Sequence, residues 1–183
     1  MFLSQCVLGE QKIMAWRSST TLQQRILACL PYLIPMLQVL QLGGLVFSLV
    51  PPLTLVFFPL FLIAPIYFFS LGGFAVVPLI IFFALFLLVV QNYKIAHFVR
   101  FNTLQAIMIS LAAFLLQIVL EFFGMTQQAF SPVGSANSLF MQILVTLIYL
   151  AATGSSVYAI VQCLRGRYAE IPAISEAVYN QVR

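Results

Sequence analysis

The chain reads as an all-α integral membrane protein, with four transmembrane helices and a proline-rich segment that is interfacial or re-entrant. Three observations lead there. Residues 26–93 contain no Asp, Glu, Lys, Arg or His, and two further uncharged runs follow at 101–120 and 122–164. Each run is at least as long as the ~20 apolar residues that cross a bilayer core as a helix. Hydrophobic residues make up 63% of the chain and charged residues 7%, so a water-facing surface would have to be built from Leu, Phe and Ile. Finally, the basic residues gather at the ends of these runs, which is how topology is encoded in membrane chains.

The N-terminal tail, residues 1–25, carries Lys12, Arg17 and Arg25. Trp16 and Arg17 suit a short amphipathic helix leading into the membrane domain. Met1 to Glu10 lacks the basic n-region of a cleaved signal peptide. Met14 is an alternative start, in which case residues 1–13 have no structural meaning.

Lys94, His97 and Arg100 separate the first uncharged run from the second, and Arg165 and Arg167 close the third. Between the second and third runs, from Glu121 to Ser138, there is no basic residue. The positive-inside rule therefore puts the N-terminus, the 91–100 loop and the C-terminus on one cytoplasm-equivalent side. An even number of crossings must separate each pair of these sites. The first run has room for three spans, but parity selects two, at 26–47 and 74–90. Between them, residues 51–70 hold Pro51, Pro52, Pro59 and Pro65. Proline removes amide donors and kinks helices, which favours an interfacial or re-entrant segment over an additional crossing. The third span covers 102–123 and the fourth 139–164, joined by a turn-rich loop at 131–137. Residues 26–164 thus form one membrane domain, and 165–183 a C-terminal tail.

Little in the chain resembles catalytic machinery. It has one His, no Asp, three scattered Cys, and no H-E-x-x-H, G-x-S-x-G or phosphate-binding loop. No cofactor or metal is expected, and the modest positive charge concerns topology rather than nucleic acid. The helix faces say more. Asn102, Ala106, Ser110, Ala113, Gln117, Glu121 and Gly124 recur at helical spacing and fall within about 100° of one another. Gln142, Thr146, Tyr149, Thr153, Ser156 and Cys163 repeat the pattern on the last span. Polar groups facing lipid would lack partners, so the two stripes are expected to face each other or a shared interior. Helix packing is favoured over a hydrated path, because paired acidic and basic groups are missing. Asn102 and Gln105 have capping-pair spacing, Arg100 is placed to snorkel, and Tyr93, Phe98, Phe101 and Tyr168 suit an interfacial aromatic belt.

Three stretches carry a family resemblance. They are Arg25-Ile-Leu-Ala-Cys-Leu-Pro-Tyr-Leu-Ile-Pro35, then Ile81-Phe-Phe-Ala-Leu-Phe86 running on through His97-Phe-Val-Arg-Phe-Asn102 into Gln105-Ala106, and the tail from Tyr168-Ala-Glu-Ile-Pro172 to Arg183. In these the chain resembles the Tic-twenty family, the twenty-kilodalton membrane subunit of the translocon at the inner chloroplast envelope, and its cyanobacterial relatives. The resemblance covers nearly all of residues 15–183 and implies four transmembrane helices. It makes Pro31, Tyr32, Pro35, Arg100, Phe101, Asn102, Gln105, Glu170 and Pro172 family-signature positions, none with an implied catalytic role. Ser110 stands where many members carry an acidic residue, which weakens a charged channel lining.

The resemblance implies a non-enzymatic subunit for protein translocation or insertion, in a cyanobacterial membrane or a plastid inner envelope. A cyanobacterial origin is the better fit. Its partners would be the lipid bilayer, other membrane subunits or further copies of itself, and a polypeptide substrate. The alternatives are a small-solute or ion transporter and a structural or assembly factor of a membrane complex.

Overall fold

A computed structural model describes residues 21–71, 74–130 and 136–171, together with Ile174 and Val178. The lead-in helix around Trp16, the Met14 start, most of the 131–137 loop and Pro172 lie outside the described residues.

Helix α1 runs from Leu22 to Leu49 and is apolar over most of its length. Thr21 caps it reciprocally with Gln24, each side chain bonding the other's backbone amide. Pro31 and Pro35 cannot donate to the preceding turn, and the helix tightens to a 3-10 turn at Leu30–Tyr32. A second 3-10 turn spans Leu40–Gly43. At Gly43 an added Cβ would lie 2.6 Å from the Phe47 ring and 2.8 Å from the Tyr149 ring. Glycine is therefore what lets these two aromatic rings close over the backbone.

Val50-Pro51 ends α1, and α2 follows at Pro52–Tyr67 with Pro59 and Pro65 inside it. Segment 51–70 is thus largely helical in spite of its prolines. Phe57 is the residue that seats α2, packing with Met36 and Leu40 and lying 5.7 Å from Phe47 between ring centroids. A two-residue antiparallel pairing, Ser70 with Ala75 and Leu71 with Phe74, turns the chain into α3 at Val76–Val90. The last six residues of α3, Leu85–Val90, widen into a π-helix.

Helix α4 runs from His97 to Phe130 and α5 from Ala136 to Leu164. Among the described residues, three helices are long and apolar enough to cross a membrane: Leu22–Leu49, His97–Phe122 within α4, and Leu139–Leu164 within α5. Of the four expected spans, the one at 74–90 corresponds to the shorter α3.

Directions within the bundle follow from side-chain contacts. Arg25 Nη1 donates to Leu164 O at 3.4 Å, Cys29 Sγ points to Ile160 O at 3.8 Å, and Gly43 sits against Tyr149. Helix α1 is therefore antiparallel to α5. Tyr32 meets Asn102 and Gln105, while Gln117 Nε2 reaches Gln38 O at 3.4 Å, so α1 is parallel to α4. The starts of α1 and α4 and the finish of α5 share one end of the bundle, the end that carries Arg25, Arg100 and Arg165. Between the helices the core is built largely of small residues, Ala28, Ala106, Ala113, Ala152 and Ala159, with Tyr32, Val39 and Tyr149. Small side chains let backbones approach closely, the packing route available where lipid removes the usual hydrophobic drive. Outward faces are largely apolar, with Leu111, Phe114 and Leu115 on α4 and Leu147, Leu150 and Val157 on α5 exposed.

Candidate functional site

The densest polar chemistry lies at the basic end, where four separated pieces of chain meet. Tyr32 is brought inward by the proline-tightened turn of α1 and has no exposed surface. Its hydroxyl is 3.1 Å from Asn102 Oδ1 and 3.2 Å from Gln105 Oε1. Asn102 Nδ2 donates to Phe98 O at 2.7 Å, and Gln105 Nε2 donates to Ala169 O at 2.8 Å. With both amide nitrogens engaged by carbonyls, both amide oxygens turn toward the single phenolic proton. Cys163 Sγ adds a second donor to Asn102 Oδ1 at 3.1 Å and also faces Ala28 O at 3.9 Å. Buried polar groups with these partners satisfy one another across α1, α4, α5 and the tail.

The tail reaches this junction through a sharp stop to α5. Gly166 takes φ 71°, a left-handed conformation that glycine tolerates, and its N–H bonds Cys163 O while Arg167 N–H bonds Gln162 O. The chain then folds back so that Tyr168 packs edge-on against Phe98 and Phe101, at 5.3 and 5.1 Å between centroids. Its hydroxyl lies 3.3 Å from His97 Nδ1. Ala169 is fully buried, and farther along Val178 packs with Phe101, Leu104 and Ile107.

Several positions differ from the sequence expectation. The fourth helix starts at His97, so Asn102 and Gln105 sit inside it as buried partners and do not cap its start. Phe98 and Phe101 are buried beneath the tail, whereas Tyr93 is 82% exposed. Arg100 does not extend outward. It is buried, its Nε donates to Val90 O at 2.8 Å, and its guanidinium lies 4.8 Å from the Tyr93 ring centroid. Of the signature positions, Pro31, Tyr32, Pro35, Phe101, Asn102 and Gln105 are buried at or beside the junction, while Glu170 is exposed. The roles of Tyr32 and Ala169 carry no local sequence signal.

The two polar stripes divide along their length. Ser156 is buried and bonds Ala152 O of its own helix, and Thr146 similarly bonds Gln142 O. Ser110 Oγ, Tyr149 OH and Thr153 Oγ1 are buried without a hydrogen-bond partner in the middle of α4 and α5. Gln117 is half-buried and bonds α1, while Glu121 and Gln142 are exposed. On both stripes the unpartnered hydroxyls thus lie midway along the helix, and the polar residues toward the end away from the junction are exposed. No cluster of three His, Cys, Asp or Glu able to hold a metal occurs among the described residues.

Comparison with known proteins places these features in context. The family model for the chloroplast import apparatus, Tic20-like, matches residues 11–178, which include the five described helices and the junction. The chain is 35% identical to a Tic20 family protein of Synechocystis over 171 residues, 93% of this chain and 99% of the relative. It is 30% identical to the Tic20 family protein Ycf60 of Pyropia yezoensis, over 94% of this chain and 82% of the relative. With Protein TIC 20-v, chloroplastic, of Arabidopsis thaliana it shares 28% identity, over 90% and 73% of the two chains.

Proposed function

Because the chain belongs to the Tic20 family of membrane proteins, related to components of the chloroplast import apparatus, we propose that it is a non-enzymatic subunit of a protein-translocation or membrane-insertion complex. The observation that carries this reading is the family match, which runs through every helix and leaves no part of the described chain for a separate catalytic domain. In this reading the buried hydroxyls of Ser110, Tyr149 and Thr153 are the side chains nearest to the passage. A single small bundle packed around alanines is too thin to enclose a polypeptide. Further copies or partner subunits complete the passage, and the complex sits in a cyanobacterial membrane or a plastid inner envelope.

In this reading α3 is the fourth crossing, and α2 lies at the interface or re-enters. The far end of α1 and the basic start of α4 require the chain to return once between them, and α3 brings Val90 to Arg100. Both termini then lie on the cytoplasm-equivalent side.

The test is crosslinking from Ser110→Cys or Thr146→Cys to a stalled translocating polypeptide in membranes. Adducts that vanish when the polypeptide is released are the expected outcome. Labelling of both sites by lipid-soluble probes alone would remove the pathway and leave an assembly role.

A further inference from the structure

We propose that Arg100, with Tyr93 and Lys94, forms a seat for the phosphate of an anionic lipid headgroup at the basic end of the bundle. Arg100 is the only charged side chain buried among the described residues, at 8% exposure. Its protein contacts use one N–H and one face, the bond from Nε to Val90 O and the stacking on Tyr93. Guanidinium has five donors in a planar fork, and here the two terminal nitrogens meet no acceptor among the described residues. Neither Glu121 nor Glu170 pairs with it. A cation removed from water to this degree is costly unless an anion accompanies it.

The surroundings select the anion. Two parallel N–H donors match two phosphate oxygens, which is the geometry arginine offers and lysine does not. Lys94 N–H bonds Asn92 Oδ1 at 3.0 Å, a tight turn that sets Tyr93 and Lys94 side by side at the surface. Lys94 is exposed and adds a second positive charge, while the exposed Tyr93 ring walls one side. Leu87 and Leu88, three and two residues before Val90 on α3, are 53% and 67% exposed. They offer apolar surface for acyl chains at the end of α3 whose Val90 carbonyl Arg100 bonds. A free phosphate has no use for that surface, and a lipid does. Basic groups at this level face headgroups, and anionic leaflets attract them further. The seat does not depend on what the bundle conducts.

The experiment uses the full chain purified in mild detergent, with native mass spectrometry of bound lipid after adding phosphatidylglycerol or phosphatidylcholine. Wild type is expected to retain phosphatidylglycerol about tenfold better, the scale of one charge-assisted bidentate contact. Tyr93→Leu and Lys94→Gln, both at exposed side chains, should each reduce that preference several-fold. Arg100→Lys should lose most of it while keeping the charge. Circular dichroism monitors folding, and the two surface variants decide the matter if the Arg100 variant unfolds. Equal retention of the two lipids by wild type, or a preference unchanged in the surface variants, overturns the proposal. So does displacement of the lipid by millimolar inorganic phosphate, which would identify a soluble-anion site.

Discussion

The hydroxyl of Tyr32 lies 3.1 Å from Oδ1 of Asn102, a contact made across 70 residues of chain. It joins the first helix to the fourth at the level where the tail folds back. The same hydroxyl is 3.2 Å from Gln105, so a single phenolic proton serves two buried amide oxygens.

Removing that proton should loosen the whole end of the bundle. Tyr32→Phe keeps the ring and leaves Gln105 Oε1 without its donor, while Asn102 retains Cys163. The expected cost is about 1–3 kcal/mol, the penalty for an unsatisfied buried acceptor. Unfolding in mixed detergent measures it, and a variant as stable as wild type would show that the contact contributes nothing.

Glycines at two positions should respond in opposite ways. Gly43→Ala places a methyl group against the Phe47 and Tyr149 rings, and overpacking of this kind costs about 1–3 kcal/mol. At Gly154 an added Cβ meets nothing within 4 Å. Gly154→Ala should leave stability unchanged or raise it by up to about 1 kcal/mol through helix propensity. Shortening the ring opposite, as in Phe47→Leu, should recover part of the Gly43→Ala loss. Equal effects at the two glycines would contradict the packing described.

Mercuric ion offers a test of the antiparallel pairing of α1 with α5. Cys29 Sγ faces Ile160 O and Cys163 Sγ faces Ala28 O, which places the two thiols on facing turns. In a Cys6→Ser background, one mercury per chain should consume both thiols, as read by intact mass and thiol titration. Replacing either cysteine by serine should abolish the bridge. Independent reaction of the two thiols would mean that the helices are out of register.

Topology is open to a direct reading by impermeant maleimide. Single cysteines replacing Gln23, Lys94 and Arg167 in a cysteine-free chain should all be labelled from one side of sealed vesicles. A cysteine replacing Ser131 should be labelled from the other side. Labelling of Gln23→Cys and Arg167→Cys from opposite faces would replace the four-crossing arrangement with an odd one.

The parts of this architecture that show in the sequence are those set by the solvent. Lipid demands long uncharged stretches, and helices α1, α4 and α5 lie within those runs. The junction is of another kind. Gln105 and Ala169 are 64 residues apart, and no local periodicity reports a bond of that range. Asn102 and Gln105 have the spacing of a cap, but the turn at 92–96 starts the helix five residues earlier and carries both inside. Arg100 looks like any basic residue at a span end until the end of α3 and Tyr93 are seen to enclose it. Helical spacing puts Ser110 on one polar stripe and Tyr149 and Thr153 on another. It does not reveal that Glu121 and Gln142, on the same stripes, lie beyond the cover of neighbouring helices.

One consequence concerns the order of assembly during synthesis. Ala169 supplies the carbonyl that engages Gln105, and Cys163 supplies the second donor to Asn102. Both are made after α1 and α4, whose side chains they complete. Until then a nascent chain holds Tyr32, Asn102 and Gln105 without their complete set of partners. The bundle therefore locks from its last-made portion backward, and a ribosome paused before Ala169 leaves it unlatched.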